Sequence, residues 1–582
     1  MDNLTRRLLL CCLAVFIPSA LAVEAELILH NGKVATVDRT FSIHEAIAVE
    51  GGRIVEVGRS VDVLRRRGAR TEIVDLRGRL ALPGLMDSHA HPADACMTEF
   101  DHSIPPMERI QDVLNYIQAR ALVIPVGGWI EVRQVFITRL REQRYPTRAE
   151  LDRVAPNHPV LFATGPDASL NSLALKLSGI DRDFIVADGG SGFAEKDAST
   201  GEPTGILRNC SRFVKVESPR SPVSRTDKVR RLRELFADYN SVGITSVCDR
   251  DASFDEIETY KELRRGGVPT VRASLSAHIE SIGALAGIQE SIRQVSRDPL
   301  FTERDDSLRI IGIKVFLDGG MLTGSAYMQQ PWGVSDIYSI KDPNYRGVLF
   351  IPNQRLVPMV RTAVECGLQF TAHSVGDAAV QALLDAYSEV NQELPLRKVR
   401  FCVSHSNFMT PKSVNQASKL GVMLDIQPAW LYHDSHTLAK QFGYDRLRDF
   451  QPLRSLFEAG VVVGGGSDHM QKIGSLRSVN VYNPFLGMAT AVSRRARIYE
   501  RPMHPEQALT REQVVRFYTS NNAQVLGCDD RFGSLELGKL ADIVVLDTDL
   551  LTCPEVEIAA TRVLRTYVGG KLVYENEKGD KP

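Results

Sequence analysis

The chain carries almost no surplus of either charge. Lys and Arg number 70 against 71 Asp and Glu, a formal net charge of −1 over 582 residues. That balance offers no basic field for nucleic acid and no acidic tail for a basic partner, so nucleic-acid binding is set aside. The one dense basic run, Arg65-Arg66-Arg67, reads as a solvated face. Long hydrophobic runs are equally scarce. The run from Leu8 to Ala22 follows Arg6-Arg7 and ends in the small-x-small pattern Ala20-Leu21-Ala22. It falls short of the roughly 20 apolar residues that a span needs, and no other stretch qualifies, so no stable membrane span is expected. It reads as a secretory signal peptide over residues 1–22, cleaved after Ala22, which puts the mature chain outside the cytoplasm, most simply in a periplasm. "TRRLLL" is only loosely like a twin-arginine signal, and Sec and twin-arginine export both stay open.

Cysteine is sparse too. Of nine, Cys11 and Cys12 fall in the signal, leaving Cys96, Cys210, Cys248, Cys366, Cys402, Cys528 and Cys553. They are scattered, odd in number and without C-x-x-C spacing, which argues against a thiolate zinc site and a dense disulfide framework. Cys248 and Cys402 sit in apolar strand-like runs and read as core residues rather than nucleophiles.

What the chain does have is enough apolar residues, 43 % of the total, to bury a large core, with one big domain and one or two smaller ones. Its two ends are alike in kind. "ELILHNGKVATVD" and "AIAVEGGRIVEVG" are alternating β runs broken at Asn31-Gly32 and Gly51-Gly52, and "KLADIVVLD" and "RVLRTYVGGKLVYEN" repeat the style near the C-terminus. One small β-sandwich built from both termini, residues 23–80 and 529–582, is expected.

Between them, over 81–528, short apolar strands alternate with helical stretches, which predicts an α/β fold, a (β/α)8 TIM-like barrel. The candidate strands are "LALPGLMDSHAH", "GITSVCDRD", "TVRASLSAH", "IIGIKVFLDGG", "LQFTAHSVGD", "RFCVSHSN", "GVMLDIQP" and "GVVVGGGSD". The piece from about 92 to 240 is too long for one crossover and is expected to be an inserted subdomain. It holds "VLFATGP", a run that must be excluded for the count to come to eight.

Catalytic groups in such barrels project from the C-terminal ends of the strands. There the chain places His89 and His91, Lys314, His373, His405 and Asp468. Residues i and i+2 of a strand face one side, so His89 and His91 point together to where two imidazoles can bind one cation. A lone His-x-His is a weak signal, and a core-satisfied His373, a surface His405 and a loop-capping Asp468 are each plausible alone. Their coincidence at successive strand ends is what gives the set weight.

The motifs "DSHAHP", "IKVFLDGG", "TAHSVGD", "VSHS" and "GGGSD", followed by "FGSLELGKLADIVVLD", resemble the amidohydrolase superfamily of metal-dependent hydrolases. Within it the chain looks like the YtcJ-like, amidohydrolase family 3 branch, to which N-substituted formamide deformylases belong. The resemblance covers nearly the whole mature chain. It implies that His89 and His91 ligate the more buried divalent ion, that Asp468 is a further ligand and accepts a proton, and that His373 and His405 bind a second ion or serve one ion and the substrate. Zinc is the implied metal, one or two ions, which lowers the pKa of water it binds from 15.7 to about 7 in the best cases.

Lys314 lies in an apolar strand where an unpaired ammonium is expensive to bury. It either pairs with Asp318 or, as in several relatives, is carboxylated to N6-carboxylysine, an anionic bridge between two ions. Two departures bear on substrate. "GPDASLNS" has Pro166 and Asp167 where relatives tend to carry a histidine, and "PTGILRN" has Asn209 where a glutamate is common; these positions are expected on the substrate side of the site. The resemblance implies hydrolysis of a non-peptide C–N bond in a small-molecule amide, formamide or cyclic amide. The alternatives are an aminohydrolase releasing ammonia and a secreted binding or regulatory protein on the same fold, which the retained Asp468 argues against. Substrate identity and oligomeric state are not legible in the residues.

Overall fold

The computed structural model describes residues 24–576 apart from 134, 218–222 and 473, so the expected signal peptide lies outside the described residues. Eight parallel strands form one sheet that curls almost into a closed barrel: β1 (Leu85–Ala90), β2 (Ile244–Ala252), β3 (Arg272–His278), β4 (Leu308–Phe316), β5 (Gln369–Ser374), β6 (Cys402–His405), β7 (Met423–Ile426) and β8 (Val463–Gly465). Six lie wholly within predicted runs, while β2 runs one residue past its run to Ala252 and β4 begins two residues before its own at Leu308, and every neighbouring pair is parallel. Helices between strands bury one stripe each. Helix Phe254–Arg265 starts on a capping box made by Ser253 and Glu256, and turns Ile257, Tyr260 and Leu263 inward at helical spacing.

The first predicted run divides in two. Leu80–Pro83 pairs antiparallel with Ile543–Leu546 in the terminal domain, and only Leu85–Ala90 enters the barrel. The break is at Gly84, where a Cβ would lie 2.2 Å from Thr245 Oγ1. The terminal domain is a sandwich. One sheet runs Arg53–Gly58, Ala46–Glu50, Ala25–His30, Arg67–Asp75; the other runs Lys571–Glu575, Val563–Val568, Ile543–Leu546, Leu80–Pro83, Lys33–Ala35, Ile43–His44 and so draws strands from both termini. Leu29, Ile47 and Ile54 meet Ile543, Val545 and Tyr567 in its shared core.

Between β1 and β2 an inserted region forms its own five-stranded sheet, in which Val160–Ala163, the excluded "VLFATGP" run, pairs with Ile130–Val132 and Ala168–Leu170. Helix Arg225–Ser241, before β2, packs on β2 and on the C-terminal strand Lys571–Glu575. Two arginines, the buried Arg208 and the partly buried Arg139, tie the insertion down. Arg208 pairs with Glu195 at 2.8 Å and donates to the carbonyls of Thr323 and Tyr338 in the loop after β4, and Arg139 pairs with Asp434 at 2.9 Å. All seven cysteines among the described residues are free, with Cys248 and Cys402 buried. No helix among the described residues is long and apolar enough to cross a membrane.

Candidate metal centre

The barrel is closed at its C-terminal rim by the segments that carry the predicted residues. Ser467 and Asp468 donate backbone N–H groups to the His89 carbonyl, at 3.2 and 2.6 Å, and the His91 N–H reaches the His469 carbonyl at 2.8 Å. Asp87 accepts from the His89 and Ser467 N–H groups and from Ser467 Oγ, which staples β1 to the end of β8. The approach is close enough that a Cβ on Gly466 would lie 2.8 Å from that of His89, so the glycines of "GGGSD" are required by packing.

This closure brings His89, His91 and Asp468 together, with one ligand-type atom from each within 4.8 Å of the others. His91 Nε2 lies 3.1 Å and His89 Nε2 3.6 Å from Asp468 Oδ1. His405 sits beside them, its ring centroid 4.5 Å from those of both His89 and His373. Lys314, His91, His373, His405 and Asp468 all line one cavity of about 600 Å³, and His89 is wholly buried behind it. All six predicted residues therefore meet in one place.

Hydrogen bonds specify the tautomers. His89 Nδ1 lies 2.7 Å from Asp425 Oδ1, and a carboxylate only accepts, so Nδ1 carries the proton and Nε2 keeps its lone pair. Gln427 donates through Nε2 to Asp425 at 3.1 Å, which leaves its Oε1 to accept from His405 Nδ1 at 2.9 Å. His405 Nε2 is thus also unprotonated. Burial, with the nearby Lys314 cation, lowers the pKa of His89 and takes that of His373 down to about 3; burial and the neighbouring imidazoles lower that of His405. These imidazoles are neutral at physiological pH. His89 Nε2 is buried without a hydrogen-bond partner. A lone pair that is buried, fixed in direction and lacking a donor is what a divalent cation answers, so the residues fit such an ion.

His91 behaves differently. Burial disfavours its charge, but the hydrogen bond to Asp468, with the charges of Asp468 and Asp249, outweighs burial and raises its pKa to about 9. Lys314 is 1 % exposed, and burial lowers its pKa. The expected alternative pairing with Asp318 does not form: Asp318 accepts from the N–H groups of Tyr327, Val375 and Gly376. Among the described residues no ion-pair or hydrogen-bond partner reaches Lys314, whose Nζ stands 5.2 Å from the Phe316 ring centroid.

Two expectations for the substrate side are corrected. Pro166 lines the cavity, but Asp167 is fully buried, accepting from the Asn209 N–H and from Ser325 Oγ, and Asn209 turns its amide to Ser191. Asp167 docks the insertion on the loop after β4, and Asn209 is spent on contacts within the insertion. Sequence reasoning missed Asp425, Arg250, Gln427, Trp430 and Asn480. Arg250 spans the barrel interior, donating to the Ser88 carbonyl at 3.0 Å and to Gln369 Oε1 at 2.6 Å, with Nε 3.4 Å from Asp425 Oδ2. Trp430 stacks on His405 at 4.9 Å between centroids. The available signal was a charge inside each of the apolar runs "GITSVCDRD" and "GVMLDIQP".

The raised His91 pKa generates a prediction for the metal-free protein. A group whose pKa rises from 6.5 unfolded to about 9 folded adds stability that is complete below pH about 6.5 and lost as pH climbs through about 9. The melting temperature of metal-free wild type is expected to fall across that window more than that of His91→Gln. Parallel declines in the two proteins would show that the His91–Asp468 pair is not protonated.

The profile of the Amidohydrolase family matches residues 72–574. The N-substituted formamide deformylase of Arthrobacter pascens is 30 % identical over 562 residues, covering 94 % of this chain and 98 % of the relative. Putative amidohydrolase YtcJ of Bacillus subtilis (strain 168) is 24 % identical over 94 % of this chain and 99 % of its own. The crystal structure of an uncharacterized metal-dependent hydrolase from Pyrococcus furiosus superposes with a TM-score of 0.63 at 21 % identity, over 90 % of this chain and 100 % of that one. With nearly the whole described sequence matched and the barrel rim carrying the family's motifs, the chain belongs to the amidohydrolase family, a metal-dependent hydrolase of carbon–nitrogen bonds other than peptide bonds.

Proposed function

We propose that the enzyme hydrolyses a small amide, formamide or cyclic amide, with His89, His91, His373, His405 and Asp468 holding one or two divalent ions and Asp468 carrying the proton. The observation that supports this most is the pair of unprotonated Nε2 atoms on His89 and His405, both set by hydrogen bonds that run back to Asp425. Imidazole and carboxylate donors suit zinc. Such an ion supplies Lewis acidity when bound, acidifying water and polarising a carbonyl.

The chain's own residues do the rest. Asp425 and Gln427 hold the two imidazoles in one tautomer and direction. Asp468, its Oδ1 turned toward His91, accepts the proton that the attacking water loses and returns it to the leaving nitrogen as the C–N bond breaks, giving a carboxylic acid and an amine. Met97, Phe100, Phe136 and Trp430 give the cavity an apolar wall that excludes water and takes up the organic part of a small substrate. The deformylase relative acts on N-substituted formamides by its name, and an apolar substituent on nitrogen is compatible with that wall.

Purified protein is expected to contain zinc or a similar ion by elemental analysis, with less in His89→Ala. Asp468→Asn keeps the size and cannot take the proton, so on any substrate found in an amide and lactam screen kcat should drop by at least about 10²-fold with KM changed far less. Full activity in Asp468→Asn would remove that residue from the chemistry, and ammonia as the product in place of an amine would make the enzyme a deaminase.

Lys314 is proposed as N6-carboxylysine. Burial favours its uncharged amine, which adds to CO2 with loss of one proton to give an anionic carbamate, and no hydrogen-bond or ion-pair partner among the described residues competes for the side chain. Lys314→Ala should lose activity and regain part of it with added short carboxylates. A bare ammonium in density from metal-loaded crystals would refute the carbamate.

The enzyme is also proposed to work outside the cytoplasm, an assignment that rests on the apolar run Leu8 to Ala22 and its Ala20-Leu21-Ala22 end. Fractionated cells should yield the activity in the periplasm, on a protein whose N-terminus by sequencing is Val23. An intact N-terminus in the cytosolic fraction would overturn it.

A further inference from the structure

Asp468 holds a backbone conformation that side chains seldom take. Its φ is 55°, in the left-handed region, which Asp tolerates better than most residues but which persists only where the surroundings over-determine it. One clamp is the 2.6 Å bond from its N–H to the His89 carbonyl. The other comes from a fully buried amide on the loop after β8. Asn480 Nδ2 donates to the Asp468 carbonyl at 2.6 Å and to the same residue's Oδ2 at 3.2 Å. One amide nitrogen has two protons, so both bonds can form together.

The far end of Asn480 is fixed as well. Its Oδ1 accepts from Arg139 Nη2 at 3.3 Å, and a guanidinium only donates, so the amide can sit only with its NH2 toward Asp468. Arg139 is in turn locked to Asp434 through Nε at 3.2 Å and Nη2 at 2.9 Å, and it donates to the carbonyl of Val479. Arg139 ends the short turn Ile137–Arg139 of the inserted region. A continuous hydrogen-bonded chain therefore runs from the insertion to the rim residue assigned to proton transfer.

We infer that Asn480 is the positioning residue for Asp468, clamping its carbonyl and its Oδ2 so that Oδ1 alone faces His89, His91 and the reacting groups, with Arg139 keeping the amide the right way round. The inference rests on the proposed role of Asp468 as proton carrier. It assigns the two oxygens different work: Oδ2 is an anchor, and Oδ1 takes and returns the proton.

The test separates donation from mere packing. Asn480→Asp keeps the size and still offers Arg139 an acceptor, so a structural link survives, but it faces Asp468 with an acceptor where a donor is needed. Asn480→Ala removes both contacts. Both variants should keep wild-type metal content, lose at least about 10-fold in kcat with KM within about 3-fold, and show the Asp468 carboxylate turned beyond hydrogen-bond reach of His91 in crystals. Wild-type kcat in Asn480→Asp with the carboxylate unmoved would reduce Asn480 to packing. Asp468→Asn, assayed alongside, keeps the two ideas apart. Full activity in Asp468→Asn defeats the proton-carrier reading, whereas an unmoved Asp468 in both Asn480 variants defeats the clamp whatever the rates.

Discussion

The site depends on one buried carboxylate. Asp425 enters the barrel from β7 and accepts from His89 Nδ1, Gln427 Nε2 and Ser404 Oγ at 2.7 to 3.1 Å, with the Arg250 guanidinium 3.4 Å away. An unpaired charge in that interior would be prohibitive, and removing one member of a buried pair typically costs about 3–5 kcal/mol. The arrangement avoids this by satisfying both groups: Arg250 spends its remaining donors on Ser88, Ser276 and Gln369. What the pair supplies beyond charge balance is direction. Asp425 can only accept, so His89 must present Nε2 to the cavity, and through Gln427 the same constraint reaches His405. Two ligand-type nitrogens from different strands are aimed by one side chain.

A second constraint is geometric. Proximity of His89 and Asp468 requires the segment just after β8 to press against His89, and the sequence meets this with glycine at 466 and with the Asp87 staple, a carboxyl whose burial lifts its pKa to about 7. The strained backbone collects at the candidate site residues themselves. His405 and Ser406 have φ of 72° and 44°, and Asp468 has 55°. Such backbone is held, not preferred: Asp468 is clamped by its N–H on the His89 carbonyl, His405 by Gln427, and Ser406 by its N–H on the carbonyls of Ser374 and Ser404.

These two constraints explain what was legible in the sequence and what was not. The eight strands could be read because each is a short β-rich run, and their order placed five of the six rim residues on one cavity with His89 buried directly behind it. The division at Gly84 was hidden, since "LALPGLMDSHAH" reads as one strand until Thr245 is known to press against that glycine. Asp425 and Arg250 were hidden for a related reason. A charge in an apolar run looks like the end of a strand, and only the fold shows that two such charges, 175 positions apart in chain numbering, neutralise each other inside the barrel. Asp167 and Asn209 were misplaced toward the substrate because position in a motif does not reveal which way a side chain turns; Asp167 turns to Ser325 of the barrel and Asn209 to Ser191 of the insertion.

The insertion is therefore more than a roof. Arg208 fastens it to the loop after β4, whose Met321, Leu322 and Thr323 line the cavity, while Arg139 fastens it to helix Pro428–Phe442, whose Trp430 stacks on His405. Each anchor is an arginine that reaches the segment next to a site residue. The apolar wall that would hold the organic part of a substrate and the polar rim that would carry out hydrolysis thus share their supports. The seat of the insertion reaches Asp468 through the hydrogen bonds of Arg139 and Asn480, and reaches His405 through the ring of Trp430 stacked on it. The cavity wall and the rim side chains are mechanically one unit, because the same two arginines of the insertion hold the segments that carry both.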